Sequence, residues 1–142
     1  MSTFGDIPAG IETVLLANVS GTEIKVLKHP PDQVNDFPAI LVVPESVDPT
    51  IHFGGNSFEA VFRLIVLVSS AAAPEGWEAL YNMIDPTDNT SIIKALRADH
   101  TLDGKVDSSV IDSIENVGRR QWFGGGFYFG FDLLLNTVNS VG

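Results

Sequence analysis

Residues 58–84 constrain the fold of this 142-residue chain more than any other stretch. They begin with apolar side chains at alternate positions, with Glu59 and Arg63 between them, and continue as an unbroken apolar run, residues 64–68. Alternation predicts a strand with one face toward solvent, whereas an unbroken run predicts a strand covered on both faces. Residues 74–84 then have the spacing of an amphipathic helix. We therefore expect a central strand whose second half is covered, with this helix as its natural cover.

Four apolar side chains of that helix follow one another at i, i+3, i+4 and i+7: Trp77, Leu80, Tyr81 and Ile84. Such a stripe is typical of the helix face that packs on a core. We therefore expect all four side chains to be buried, and Trp77→Ala to destabilise the fold.

The remaining helices and strands follow from local patterns. Apolar stripes predict helices over residues 7–19, capped by Asp6, and 92–99, capped by Ser91. Strands are expected over residues 23–27, 37–44 and 127–138 because their apolar positions alternate. Residues 106–117 fit a helical stripe as well as a strand, and their β-branched content favours the strand.

Together these elements predict an α+β fold, an antiparallel or mixed sheet with helices packed on one face. A chain of this length is typical of one domain, here residues 1–142. The last two strands are expected to form a hairpin, with a glycine-rich loop at its tip. Residues 45–57 are expected to be a loop because they contain proline, glycine and several polar side chains.

Charge and composition exclude several classes of function. The chain carries 18 acidic and 8 basic residues, a net charge of −10, which disfavours binding to nucleic-acid phosphates. It has no cysteine, and therefore no disulfide, thiolate metal site or cysteine nucleophile. Its start lacks the pattern of a signal peptide, and its longest apolar runs fall far short of a membrane helix, so we expect a soluble cytoplasmic protein without membrane contact. Only 18% of residues are charged against 44% hydrophobic, which points to oligomerisation.

No pattern of catalytic, metal-binding or cofactor-binding residues emerges from the sequence. His29, His52 and His100 stand at no ligand spacing, and no nucleophile elbow accompanies them. The three glycines at 124–126 precede a strand instead of opening a helix, unlike a phosphate-binding loop. We therefore expect no enzyme and no cofactor. A small-molecule-binding domain or enzyme, with histidines and aspartates lining a cleft, stays open as a further alternative.

Two segments are candidates for contact with a subunit or partner. Ile51 and Phe53 lie in the 45–57 loop and either pack under the sheet or face a partner. The second segment is the basic and aromatic loop predicted at the hairpin tip, residues 119–126, which either folds back on the core through Trp122 or forms an interface. Its candidate contact residues are Arg119, Arg120, Trp122, Phe123, Gly124, Gly125 and Gly126.

Several phrases of the sequence resemble a known family. They are Phe-Pro-Ala-Ile-Leu-Val-Val-Pro at 37–44, the strand at 62–68, Gly-Trp-Glu-Ala-Leu-Tyr-Asn-Met-Ile-Asp at 76–85, Ser-Ile-Ile-Lys-Ala-Leu at 91–96, and Gly-Gly-Gly-Phe-Tyr-Phe-Gly at 124–130 with the strand that follows. In layout and phrase, from residue 37 to residue 138, the chain resembles the tail-terminator (tail-completion) proteins of long-tailed bacteriophages, particularly those that infect actinobacteria.

The resemblance implies a structural virion protein of the tail and neck. In that family an α+β subunit closes into a hexameric ring that caps the tail tube, ends its polymerisation and meets the head–tail connector or stopper. DNA passes through the central hole without specific binding, and no catalytic residue is implied. A head–tail stopper or a tail-tube subunit is the alternative within the same class.

Overall fold

A five-stranded mixed sheet runs through the part of the chain that the structure, a computed structural model, describes: residues 4–19, 24–27, 37–48, 57–70, 76–121 and 127–140. Its strands are β1 (Lys25–Leu27), β2 (Ala39–Asp48), β3 (Ser57–Ser70), β4 (Ser108–Gln121) and β5 (Phe127–Ser140). The helices are α1 (Ile7–Asn18), which follows a short 3-10 turn, α2 (Gly76–Ile84) and α3 (Ile92–Ala98).

The strand order is β1-β2-β3-β5-β4, so β3 occupies the centre of the sheet. β1 pairs with β2 in parallel, and the other neighbours are antiparallel. Leu64 of β3 lies between Val42 of β2 and Leu133 of β5. The predicted α+β fold with a mixed sheet is therefore confirmed, and so is the hairpin, whose closing pair is Gln121 and Phe127.

The main core lies between one face of the sheet and the three helices. Alternate residues of β3 and β5 face the helices because side chains of a strand point to opposite sides in turn. The largest fully buried side chains of this layer are Phe62, Leu64, Phe131, Leu133, Leu135, Ile40, Ile7, Ile11, Leu15, Leu80, Ile92 and Leu102. The helices therefore pack on one face, as the sequence predicts.

A second, smaller cluster lies on the opposite face of the sheet. It contains Ala39, Leu41, Leu67 and Tyr128, all buried. The second half of β3 is thus buried on both faces, as its unbroken apolar run predicts. Gly130 of β5 lies beside Leu67, and a Cβ there would come within 2.1 Å of a β3 carbonyl oxygen, so only glycine allows this close approach.

β2 continues four residues beyond its predicted end at Pro44. Pro44 is tolerated because β1 pairs only with the start of β2, so here β2 is an edge strand. The register shifts between Pro44 and Ser46, which leaves Glu45 as the extra residue of a β-bulge. The predicted 45–57 loop is therefore too long at both ends, because β2 runs to Asp48 and β3 already begins at Ser57.

The two predicted helix caps have different outcomes. Ser91 is confirmed: its backbone is extended and its buried Oγ accepts a hydrogen bond from the backbone N–H of Lys94 at 3.2 Å. Asp6 is wrong as a side-chain cap, because the 3-10 turn runs directly into α1. Asp6 keeps helical dihedral angles, and its side chain makes no capping hydrogen bond.

Three aspartates hold the connections around α3 by accepting hydrogen bonds from threonines two residues later. Asp99 accepts from the hydroxyl of Thr101 at 2.6 Å and from its backbone N–H at 3.0 Å. These bonds, the hydroxyl first, lower the pKa of Asp99. Asp85 and Asp88 accept the same pair of bonds from Thr87 and Thr90, which lower the pKa of each carboxyl.

Stability should therefore fall in acid. A carboxyl whose folded pKa is lowered stabilises the fold above its unfolded pKa, and this contribution is lost as the pH falls through the folded pKa. We expect the urea midpoint of unfolding to decrease as the pH falls below about 5. Thr101→Val should make the midpoint depend less steeply on pH, because it removes a hydroxyl donor to Asp99. Thr13→Val is the control, since the Thr13 hydroxyl bonds a helix carbonyl instead of a carboxylate. Equal slopes in the two variants would contradict the role of Asp99.

Candidate interaction surfaces

The predicted contact residues fall into two groups. Arg119 and Arg120 lie within β4, so their assignment to a loop is wrong: Arg119 is paired with Phe129 and Arg120 with Tyr128. The others lie outside the described residues: Ile51, Phe53, Trp122, Phe123, Gly124, Gly125 and Gly126.

The inward face of α2 differs from the predicted stripe. Gly76, Leu80 and Met83 are buried, whereas Trp77 is 47% exposed and Tyr81 is 62% exposed. A Cβ on Gly76 would come within 2.3 Å of the Phe129 ring, so this glycine lets the start of α2 lie directly on β5. That contact turns the helix so that Trp77 and Tyr81 point away from the core. Their predicted burial is therefore wrong.

Trp77 lies over the sheet edge near the closed end of the β4–β5 hairpin. Its ring is 4.9 Å from the ring of Phe129 and 6.1 Å from that of Tyr81, measured between centroids. Gly118 of β4 lies beneath it: a Cβ built there would be 3.5 Å from the Trp77 ring. One side of the indole is thus supported by the protein, and the remainder is exposed.

Arg119 joins this surface through Phe127. Its guanidinium carbon lies 4.4 Å from the centroid of the Phe127 ring, within the range of a cation–π contact. Both residues are exposed, Phe127 at 46%. Phe127 shares a face of β5 with Phe129, two residues away. We name the surface formed by Trp77, Tyr81, Arg119 and Phe127 the aromatic–arginine patch.

The opposite side of the sheet is polar around Arg63. The guanidinium of Arg63 donates to both carboxylate oxygens of Glu45, at 3.0 and 3.1 Å, and to Oδ2 of Asp132 at 2.8 Å. Glu115 lies 3.9 Å from the same guanidinium. Asn116 donates a further bond to Asp132 at 3.0 Å.

This cluster carries excess negative charge. Three carboxylates against one guanidinium give −3 + 1 = −2. The hydrogen bonds that Arg63 donates to Glu45 contribute most to raising the pKa of Arg63 and to lowering the pKa of Glu45, so both groups stay charged at neutral pH. Asp132 is 2% exposed and Glu115 is 43% exposed. The charge of Glu115 therefore faces solvent.

Further carboxylate and aliphatic side chains lie on the same side of the sheet as Arg63. Glu59 accepts a bond from Nδ2 of Asn136 on β5. Val61 and Leu134 are half-buried. None of the described helices packs on this side. We name the surface formed by Glu59, Val61, Glu115 and Leu134, with Arg63 at its centre, the acidic sheet face.

Of the three histidines only His100 is described, and it lines an open cavity of about 210 Å³ between α3 and β4. The other lining residues are apolar, hydroxyl-bearing or basic, and no carboxylate is among them: Leu96, Arg97, Ser109, Val110, Ile111 and Leu135. This cavity therefore does not join a histidine to a pair of carboxylates. The described residues contain no group of three potential ligand side chains that could hold a metal ion.

The sequence predicts only part of the patch. It indicates a candidate interface at Arg119, but a core position for Trp77 and Tyr81 and an ordinary strand position for Phe127. The width of the apolar arc of α2 is the sequence feature that could have indicated the exposure of Trp77 and Tyr81. Apolar and small residues from Gly76 to Ile84 span about 200° of the helix circumference at 100° per residue, more than one sheet contact can cover.

The sequence was compared with protein-family models and with curated proteins. No protein-family model matches the sequence, and no curated protein matches it either. Within the residues that the structure describes, every helix is too short or too polar to cross a lipid bilayer.

Proposed function

We propose that this chain is a structural virion protein, a tail terminator that forms a hexameric ring on the phage tail tube. The ring ends tube polymerisation and joins the tail to the head connector or stopper. The proposed partners are other copies of the chain, the tail-tube protein and the connector or stopper protein. The sequence phrases that resemble that family support the proposal, as does an α+β fold of the kind the resemblance implies.

The observation that carries the proposal is the aromatic–arginine patch. Trp, Tyr and Arg are the residues that most often dominate the binding energy of protein interfaces. Here all three are exposed together, on a chain with few charged residues. A surface of this composition is suited to protein contact and is supported by a rigid strand and helix, as assembly of a ring requires.

The net charge of −10 fits the passage of DNA through the ring. Carboxylates repel phosphates, so a channel lined by an acidic protein lets DNA move without holding it. Specific binding to the phosphate backbone would need clustered positive charge instead.

Assembly of the purified protein tests the proposal. We expect size-exclusion chromatography with light scattering to show one closed oligomer, and negative-stain microscopy to show rings of uniform diameter, because subunits with a heterologous contact that closes by rotation form rings. Long tubes would identify a tube subunit instead. A chain that stays monomeric at high concentration, alone and with the tail-tube protein, would contradict the proposal.

A further inference from the structure

The aromatic–arginine patch and the acidic sheet face lie on opposite sides of one sheet. The patch is on the helix side, because Trp77 belongs to α2 and Phe129, on which it packs, faces Gly76 of that helix. The acidic sheet face is on the other side, where Arg63 and Asp132 meet. Since neither surface obstructs the other, one copy can use both at the same time.

The two surfaces are complementary in chemistry. The patch presents three aromatic rings and the guanidinium of Arg119. The acidic sheet face presents two aliphatic side chains, Val61 and Leu134, flanked by the carboxylates of Glu59 and Glu115. Aromatic rings can pack on aliphatic side chains while the arginine meets a carboxylate, which is the pattern of a well-matched interface.

Pairing of like surfaces is disfavoured. Two patches brought together would place Arg119 beside its own copy, and two acidic faces would place carboxylates together in a chain that already carries −10. Like charges across an interface oppose binding. Unlike surfaces therefore pair more favourably, and this makes the contact heterologous.

We propose that the aromatic–arginine patch of one copy binds the acidic sheet face of a second copy, head to tail. The inference rests on the proposed function and assigns the subunit contact of the ring. Since each copy keeps one patch or one face free after the first contact, assembly continues beyond a dimer until the ring closes.

Site-directed cross-linking tests the contact, and the absence of cysteine from the chain makes it specific. Tyr81→Cys places a thiol on the patch, and Val61→Cys places one on the acidic sheet face. The two variants carry different tags, are co-expressed, and are treated with a short bismaleimide. Ala17→Cys, at an exposed position of α1 outside both surfaces, replaces Val61→Cys in the control.

We expect a cross-linked dimer carrying both tags from Tyr81→Cys with Val61→Cys, and none from either variant alone or from the Ala17→Cys control. A single chain with both cysteines should give a ladder of products up to the full ring. Thermal unfolding of each variant confirms that the fold is retained.

Four results would overturn the assignment. Cross-linking of Tyr81→Cys to itself would show that the patches pair with each other. Equal cross-linking to Ala17→Cys would show random collision. If the wild type forms rings but the co-expressed cysteine variants give no cross-linked product, this contact is refuted and the proposed function stays in place. A wild-type protein that stays monomeric would refute both.

Discussion

Replacement of Arg63 by methionine should lower the free energy of unfolding by about 3 kcal/mol, at the lower end of the range for a broken buried ion pair. Asp132 is 2% exposed and loses the guanidinium that lies 2.8 Å away. Asn116 remains as a donor to this carboxylate, but an amide does not balance its charge. Because the Arg63 side chain is 22% exposed, solvent screens part of the loss, which places the effect at the low end.

Urea denaturation at neutral pH measures this effect, and two further variants control it. Asp132→Asn combined with Arg63→Met should recover part of the loss, because the buried carboxylate charge that lost the Arg63 guanidinium is gone. Glu45→Gln should cost much less than Arg63→Met, because the Glu45 side chain lies at the surface, where solvent screens its charge. If Arg63→Met were no more destabilising than Glu45→Gln, the buried pair would not hold this side of the sheet.

The Arg63 cluster also shows why its geometry could not be predicted from the sequence. The positions that meet there, 45, 63, 115, 116 and 132, come from four strands and are brought together by the sheet register. Glu45 reaches Arg63 as the extra residue of the bulge in β2. A local pattern contains neither the register nor the bulge, so periodicity predicts β3 correctly but gives no information about its charged neighbours.

A bulge also explains the ambiguous pattern at residues 106–117. Ile111 and Ile114 are three residues apart, a helical spacing, yet both belong to β4 and pack against the same core. The register shifts between Ile111 and Ser113, so an extra residue restores both side chains to one face. The β-branched content therefore predicted the element correctly where periodicity alone did not.

The error at α2 has a different cause. An amphipathic pattern shows that one side of a helix is apolar, but not which part of a wide apolar arc faces the sheet. Gly76 decides this, since its missing Cβ makes room for Phe129 and brings Leu80 and Met83 inward. Trp77 stays at the rim, half-exposed. The element was predictable, whereas its rotation depended on contact with β5.

Trp77→Ala and Leu80→Ala lie three residues apart on one helix, and they should therefore differ in their main effect: loss of assembly for the first and loss of stability for the second. Leu80 is fully buried, and its truncation should lower the free energy of unfolding by about 2–5 kcal/mol. Trp77 is half-exposed, so Trp77→Ala should cost about 1–2 kcal/mol, less than a core position. Its main effect should be the loss of ring assembly, because it removes the largest aromatic side chain of the patch.

Light scattering and urea denaturation of the two variants separate these effects. We expect Trp77→Ala to be a folded monomer, and Leu80→Ala to be less stable but able to form rings below its unfolding transition. Thr13→Val, on the distant helix α1, should change neither assembly nor its concentration dependence. Rings formed by folded Trp77→Ala would exclude the patch as a subunit contact. A Trp77→Ala protein as unstable as Leu80→Ala would show instead that the indole supports the core through Phe129.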